Sequence, residues 1–136
     1  MLKCVIDTHV WVSAVSSRSQ FHWVVEALLD ERFSMYISTE ILLEYEEILS
    51  RIYDKETAEL VISSLLLLPN VVRTEVYFNM RLIIADADDD KFANCAFASN
   101  AHFIVTEDKH FKVLKKTPFP QIEVISYEKF KVFFEK

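Results

Sequence analysis

The sequence begins Met1-Leu2-Lys3-Cys4-Val5-Ile6-Asp7, an apolar run that ends abruptly in a carboxylate. A second run of the same kind, His102-Phe103-Ile104-Val105-Thr106-Glu107-Asp108, also ends in one. Segments that stay apolar for several residues and then turn polar are typical of buried strands in a parallel sheet. Sites in open α/β sheets form at the carboxyl ends of such strands. The two runs therefore predict that Asp7 and Asp108 lie at one functional edge of a parallel sheet.

Strand-like and helix-like segments alternate along the chain. The patterns predict strands at Leu2–Asp7, Phe33–Ile37, Val71–Thr74, Phe103–Thr106 and Ile122–Ile125. They predict helices at about Ser19–Asp30, from Ser38 or Thr39 to about Ser50, from Asp54 to before Pro69, at Asp88–Asn100, and after Ser126. Repeated βα units form mainly parallel sheets with helices on both faces. We therefore expect an α/β fold, a three-layer αβα sandwich with a mainly parallel central sheet, as a single domain over residues 1–136.

Two helix patterns also predict which side chains face the core. In the helix after Asp54 the predicted inward residues are Leu60, Val61, Leu65 and Leu68, and in the helix at Asp88–Asn100 they are Phe92, Cys95, Ala96 and Ser99. Such faces follow from the 3.6-residue period of the helix.

Composition narrows the class of protein. With 51% apolar and 26% charged residues, the chain is typical of a globular protein. No apolar run reaches the about 20 residues that span a bilayer, and a strand so close to the N-terminus leaves no room for a signal peptide. Cys4 and Cys95 fall in a strand and a helix pattern, which predicts small buried core residues and neither a disulfide framework nor a zinc site. We expect a cytoplasmic protein without membrane contact.

The chain contains 0 glycines, and this excludes whole classes of function. Walker A loops and dinucleotide-binding turns both need glycine for close approach of the backbone to phosphate. Function must therefore rest on side chains, and left-handed turns are expected at residues such as Asn70, Asn79 or Asn100. The net charge of −6 also argues against broad electrostatic attraction to nucleic acid. Basic residues do follow Asp108, as either a solvated face or a phosphate-contacting rim: Lys109, His110, Lys112, Lys115 and Lys116.

Acidic residues on the predicted helices indicate a second feature of the same site. Glu44 shares a helix face with Ile41 and Ile48, and a carboxylate on an apolar face needs a partner. Four more acids, Asp86, Asp88, Asp89 and Asp90, crowd the start of one helix. The helix dipole stabilises one or two acids there, and not comfortably four. Each acid alone is explained as a cap or a solvated side chain, but together they favour a pocket for a hard divalent cation.

Four stretches resemble the motifs of a known family, in order along nearly the whole chain. They are Val5-Ile6-Asp7-Thr8-His9-Val10-Trp11-Val12-Ser13-Ala14, Ser38-Thr39-Glu40-Ile41-Leu42-Leu43-Glu44, Asp88-Asp89-Asp90-Lys91-Phe92-Ala93-Asn94-Cys95-Ala96 and Ile104-Val105-Thr106-Glu107-Asp108. The chain resembles PIN-domain proteins, in particular the toxin components of toxin–antitoxin systems, the VapC-like ribonucleases. In that family an apolar helix follows the first motif, and the fold is a parallel αβα sandwich.

The resemblance implies an activity and the residues that carry it. It implies hydrolysis of RNA phosphodiester bonds with Mg²⁺ or Mn²⁺ at the carboxyl edge of the sheet. Asp7, Asp90 and Asp108 would be direct or water-mediated metal ligands, and Glu44 would help to bind metal or orient the attacking water. All four are thus expected to be both catalytic and metal-site residues.

Several neighbours of these four positions leave alternatives open. Asp88 and Asp89 are the rivals of Asp90 as ligand, and Thr106 is expected to donate to a ligand carboxylate or to substrate. His9 stands where the family usually has Asn, Glu107 where Gly is common, and residues 74–85 match no motif. Two other functions fit the same pattern. They are a PIN-like protein-binding module with weak or lost nuclease activity, and a metal-dependent phosphohydrolase of small phosphate esters.

Partners are also implied by the resemblance. A toxin of this kind has a cognate antitoxin protein, RNA as substrate and a homodimeric form. The aromatic-rich segment Phe21–Leu29 is one candidate interface, since Phe21 and Trp23 are larger than a surface helix usually displays. The alternative is that both rings pack in the core.

Overall fold

The computed structural model of the chain describes residues 1–77, 90–109, 111, 114 and 122–135. Its strands are β1 (Leu2–Ile6), β2 (Phe33–Ile37), β3 (Val71–Arg73), β4 (Phe103–Val105) and β5 (Glu123–Ile125). Its helices are α1 (Thr8–Val15), α2 (Trp23–Leu29), α3 (Thr39–Ile52), α4 (Lys55–Leu66), α5 (Asp90–Ser99) and α6 (Tyr127–Val132). The strands form one parallel sheet in the order β3-β2-β1-β4-β5. The predicted α/β sandwich with a parallel central sheet is confirmed.

The pairing of β1 decides where the site lies. In the ladder with β2, Leu2 is opposite Phe33, and in the ladder with β4, Ile6 is opposite Val105. One further bond beyond the strand, from the Asp7 amide to the Val105 carbonyl at 3.0 Å, brings the chain after β1 beside the end of β4. Strand ends in a parallel sheet meet at one edge, so the segments after β1 and β4 are neighbours there.

The predicted helix caps are present. Ser38, Asp54 and Ser126 accept hydrogen bonds from the amides of Ile41, Thr57 and Lys129 at 3.3, 2.6 and 3.2 Å. Each satisfies an amide that has no partner within the first turn of its helix. These caps were predictable because the signal is local, a short polar side chain directly before an apolar helical pattern.

Helix α1 is the element that the alternation of segments did not predict, although the resemblance implied it. Its Thr8, Val10 and Val12 are β-branched, and such residues have lower helix propensity. Val10, Trp11 and Ala14 are nonetheless buried against the core. Tertiary packing of these residues therefore outweighs the local preference.

The inward face of α4 was partly mispredicted. Leu65 is buried and Val61 is partly buried against the core, but Leu60 is 67% exposed. Positions 60 and 65 are five residues apart, which places them about 140° apart around a helix with 3.6 residues per turn. In α5 the predicted core residues Phe92, Cys95 and Ala96 are buried, and Ser99 is half-buried.

The turns show one confirmed and one missed left-handed residue. Asn100 has φ 56°, as expected for an asparagine after a helix, and Glu31 has φ 55° without any such signal in the sequence. Asn70 has a different role from the predicted one. Its buried amide donates to the carbonyls of Leu28 at 2.9 Å and Phe33 at 2.8 Å, which ties the end of α2 to the start of β2. Asn79 and residues 78–85 of the unmatched segment lie outside the described residues.

The two cysteines and the two aromatic rings near α2 all pack in or against the core. Cys4 and Cys95 are free and buried, as predicted, and burial raises the pKa of each thiol to about 12.

Phe21 is buried and its ring centroid lies 4.3 Å from that of Tyr127, while the partly buried Trp23 packs against Phe130 at 5.5 Å. Both rings pack against the core, as in the alternative left open for them, and the segment 21–29 as a dimer interface stays a prediction. Within the described part of the chain, no helix is both long and apolar enough to span a membrane.

Candidate active site

Asp7 lies at the carboxyl edge of the central strand, with 8% of its surface exposed. It occupies the N-cap position of α1, but its side chain makes no capping hydrogen bond. Instead its Oδ2 accepts a hydrogen bond from the Thr106 hydroxyl at 2.7 Å. The Thr106 oxygen in turn accepts from the Asp108 amide at 3.0 Å. Thr106 therefore links the acids that follow β1 and β4, and the contact expected between Thr106 and a site carboxylate is present.

The charges around Asp7 are poorly compensated. Burial raises the pKa of Asp7, the hydrogen bond from Thr106 lowers it, and the charges of Asp108 and Glu44 raise it again. Hydrogen bonds show where these acids lie: Thr106 bonds both Asp7 and the Asp108 amide, and Thr8, the residue after Asp7, donates to Glu44. The structure thus brings together three of the four predicted site residues around the end of β1.

Glu44 on α3 contacts side chains from two other helices, α1 and α5. Its Oε2 accepts a hydrogen bond from the Thr8 hydroxyl at the start of α1, and its Oε1 accepts from Lys91 Nζ on α5 at 2.8 Å. The side chains of Lys91 and Glu44 are only 13% and 24% exposed. The predicted need of Glu44 for a partner on its helix face is met by Lys91 and Thr8. Sequence reasoning missed both, although they directly follow Asp7 and Asp90, because nothing local pairs either of them with Glu44.

Tyr45 on α3 contacts the end of β1, next to Asp7. It is fully buried, and its hydroxyl donates to the carbonyl of Ile6, the residue before Asp7. Burial, followed by the negative charge of Asp7, raises the pKa of Tyr45 well above its ordinary value. Its ring stacks on Trp11 with centroids 6.1 Å apart. Tyr45 therefore fixes the backbone that carries Asp7, a role that its apolar helical pattern did not reveal.

Asp90 is the first residue of α5, and its side chain is buried with 5% of its surface exposed. Its neighbour Lys91 bonds Glu44, so the start of α5 lies at the same edge of the sheet. Asp88 and Asp89, the rival ligands, and Asp86 lie outside the described residues.

The two residues that depart from the family pattern, His9 and Glu107, lie in different environments. His9 is exposed, and its ring meets that of Phe21 edge-on at 6.2 Å. The Glu107 carboxylate accepts a hydrogen bond from the amide of Tyr127 at 3.0 Å, the first residue of α6. A side chain at the position of the usual glycine thus satisfies an otherwise unpaired amide of α6. Lys109 of the predicted basic rim is exposed, and its other members, His110, Lys112, Lys115 and Lys116, lie outside the described residues.

The type of donor at this edge fits a hard divalent cation, but the arrangement of the described residues does not form a metal site. Mg²⁺ and Mn²⁺ prefer oxygen ligands, and carboxylates supply them here. The Asp7 carboxylate is buried and its charge is opposed by Asp108 and Glu44, which is the situation that a bound cation relieves. In the arrangement of the described residues, no three His, Cys, Asp or Glu side chains form a group that could hold a metal ion.

The chain is thus an α/β protein with a parallel sheet and acidic side chains at the carboxyl end of its first strand. The family model described as PIN domain matches residues 3–110, and the chain belongs to the PIN-domain family. No curated protein matches this chain.

Solved structures share this fold. DNA-bound VapBC from Salmonella typhimurium is 19% identical with a TM-score of 0.64, and the match covers 93% of this chain and 99% of that one. VapC20 from Mycobacterium tuberculosis, described as a sarcin–ricin loop cleaving toxin, is 14% identical with a TM-score of 0.59 and covers 88% and 98%. The PIN domain endonuclease Utp24 is 16% identical with a TM-score of 0.53 and covers 91% and 84%.

Proposed function

We propose that this protein is a metal-dependent endoribonuclease that hydrolyses RNA phosphodiester bonds and acts as the toxin of a toxin–antitoxin pair. The observation that carries the proposal is the buried Asp7 carboxylate, held by Thr106 and opposed by the charges of Asp108 and Glu44. This cluster lies at the carboxyl edge of a PIN-domain sheet, where sites of open α/β folds form. The fold shared with VapC20, a toxin that cleaves the sarcin–ricin loop, supports RNA as the substrate.

The proposed roles are those that membership of the PIN-domain family implies for these residues. Asp7, Asp90 and Asp108 would hold Mg²⁺ or Mn²⁺ directly or through water, and Glu44 would help to bind the metal or orient the attacking water. A bound ion would supply a water of lowered pKa and stabilise negative charge on the phosphoryl oxygens. Thr106 keeps one Asp7 oxygen fixed through its hydrogen bond.

We also propose a protein partner and a cellular compartment for this activity. The neighbouring VapBC structure supports a cognate antitoxin protein, and the cytoplasm is the compartment in which such a pair would meet RNA. The whole chain, residues 1–136, would form one PIN-like domain. These proposals rest on membership of the PIN-domain family. Co-purification with the tagged chain would identify the antitoxin.

A homodimer is proposed with a new candidate surface. Leu43 on α3 is 61% exposed, and Leu60 and Leu67 at α4 are 67% and 84% exposed. Contiguous exposed apolar side chains mark protein interfaces, so these three leucines are candidates for one. Light scattering of the purified chain at micromolar concentration should give the mass of a dimer. A single mass equal to that of the monomer would rule the homodimer out.

Cleavage of a mixed RNA pool tests the activity and the choice within the acidic cluster. Wild type should cleave with Mg²⁺ or Mn²⁺ and not with EDTA, and Asp90→Asn should lose cleavage because it removes one ligand and one charge. Asp88→Asn and Asp89→Asn are the matched controls and should retain cleavage.

Other outcomes identify other functions. Loss of cleavage in Asp88→Asn or Asp89→Asn with full activity in Asp90→Asn would keep the site but move the ligand. If wild type leaves RNA intact in every metal and hydrolyses small phosphate esters instead, the protein is a phosphohydrolase. If it cleaves neither, the protein-binding module takes the place of the nuclease.

A further inference from the structure

We infer that the ring of His9 is a stacking surface for one unpaired base of the RNA, next to the phosphate that is cleaved. This inference rests on the proposed function and deepens it, because it assigns a substrate contact to a residue that departs from the family pattern. His9 is exposed on the first turn of α1, two residues after Asp7. Since an α-helix rises only about 1.5 Å per residue, His9 lies at the same edge of the sheet as Asp7.

Two further rings hold His9 in place. The centroids of His9 and Phe21 are 6.2 Å apart with their planes at 74°, and the centroids of Phe21 and Tyr127 are 4.3 Å apart. Phe21 is buried and Tyr127 is half-buried, so this aromatic row, His9, Phe21 and Tyr127, is anchored in the core. In an edge-on pair Phe21 covers at most one face of the His9 ring. The other face of the exposed ring is therefore accessible to a flat ligand.

The far end of the aromatic row is fixed at the same edge of the sheet. The amide of Tyr127 donates to the Glu107 carboxylate, and its hydroxyl donates to Gln20 Oε1, both at 3.0 Å. The Thr106 amide donates to the carbonyl of Ile125 at 3.0 Å, which joins the ends of β4 and β5 beneath it. The aromatic row thus runs along the carboxyl edge, from the first turn of α1 to the start of α6. A surface that is already ordered loses little entropy when a ligand binds.

The charge of the chain leaves a role for stacking in RNA binding. Lysine and arginine contacts to phosphate usually supply much of the affinity for nucleic acid, but the net charge here is −6. Lys91, next to the acids, is paired with Glu44 at 2.8 Å. Unpaired RNA bases stack on aromatic side chains, including histidine. Such stacking tolerates any sequence, because every base has a π-face. A base on His9 would therefore supply affinity that the charge of the chain does not.

Steady-state cleavage of a short single-stranded RNA, built around a site that wild type cleaves in the mixed RNA pool, tests the inference. His9→Ala should raise KM by about 5- to 150-fold, the effect of losing one base–aromatic stack. Its kcat should stay near that of wild type, because stacking is equal in the bound substrate and in the transition state. His9→Phe keeps a flat ring and should keep the KM of wild type. His9→Asn, which introduces the usual residue of the family, should behave like His9→Ala.

His102 is a matched control at the opposite edge of the sheet. It is also exposed, and its ring centroid lies 6.3 Å from that of Phe103. It directly precedes β4, and its Nδ1 accepts a hydrogen bond from the amide of Lys3 at 2.9 Å. His102→Ala should therefore leave KM and kcat unchanged. Melting temperatures should show that every variant is folded, since both histidines are exposed.

RNAs that carry one abasic nucleotide should identify the base that stacks on His9. For wild type, removing that one base near the cleaved bond should raise KM by the same factor as His9→Ala does on the intact RNA. The KM of His9→Ala should not respond to this abasic nucleotide, because the contact is already absent. Abasic nucleotides elsewhere in the RNA should affect both proteins equally.

Three results would overturn the inference. An unchanged KM in His9→Ala, with or without a lower kcat, would show that no base stacks on His9, while cleavage by wild type would leave the proposed function standing. A KM in His9→Phe as high as in His9→Ala would mean that His9 makes a polar contact and that its ring face is not used. If wild type cleaves no RNA, the proposed function fails, and this inference fails with it.

Discussion

Replacement of Asp7 by asparagine should slow Mn²⁺-dependent RNA cleavage by more than ~100-fold, because even the outer partners of metal ligands are worth about 10- to 100-fold in activity. Asparagine keeps the size of the side chain and an oxygen that can accept the Thr106 hydroxyl, so the fold around it should remain. What it removes is the negative charge that the proposed metal ion needs. Initial rates on a defined RNA, with Glu47→Gln as an exposed acid-to-amide control on α3, measure the effect. Cleavage by Asp7→Asn within a few-fold of wild type would contradict the assignment of Asp7.

The same variant should be more stable than wild type at neutral pH in EDTA. Burial and the neighbouring acids raise the folded-state pKa of Asp7, so the folded protein holds this proton more tightly than the unfolded chain does. Between the ordinary pKa of an aspartate and the raised value, the free energy of unfolding of wild type therefore falls as pH rises. Asparagine does not titrate, and its advantage should appear above that window and vanish below the ordinary pKa. Melting temperatures from pH 3 to 8 test this, and a variant that is less stable at every pH would refute it.

Replacement of Phe130 by alanine should have the largest effect on stability. Phe130 is fully buried in α6, and its ring lies 5.1 Å from that of Phe33 on β2 and 5.5 Å from that of Trp23 on α2, measured between centroids. Removing a fully buried phenylalanine costs about 3–5 kcal/mol, a large part of the roughly 5–15 kcal/mol that stabilises a typical domain. Urea denaturation measures the loss.

A control on the same helix separates packing from helix propensity. Val132 is two residues further along α6 and 64% exposed. Val132→Ala should change the free energy of unfolding by no more than about 0.5 kcal/mol. Equal losses in Phe130→Ala and Val132→Ala would show that α6 does not pack on the sheet through Phe130.

The strands and helix caps were predictable because their signals are local. The apolar runs around Val5 and Ile104 needed only their own sequence to predict buried strands, and Ser38 needed only the helical pattern after it to predict a cap. Patterns failed where packing outweighs propensity, as in the β-branched helix α1, and where a side chain performs an unusual task, as with Asn70. Glu31 shows a third limit, because its left-handed backbone carries no mark in the sequence.

The sequence by itself determined the parallel α/β fold and the likeness to PIN domains, and it singled out the acids Asp7, Glu44, Asp90 and Asp108. It did so because the period of apolar residues and the acid at the end of each run are properties of short segments. Only the tertiary structure decided which partner each acid has: Thr106 for Asp7, and Thr8 with Lys91 for Glu44. The residues of these pairs are 99, 36 and 47 positions apart, and contacts at such separations depend on how strands order and helices pack, which no local pattern encodes.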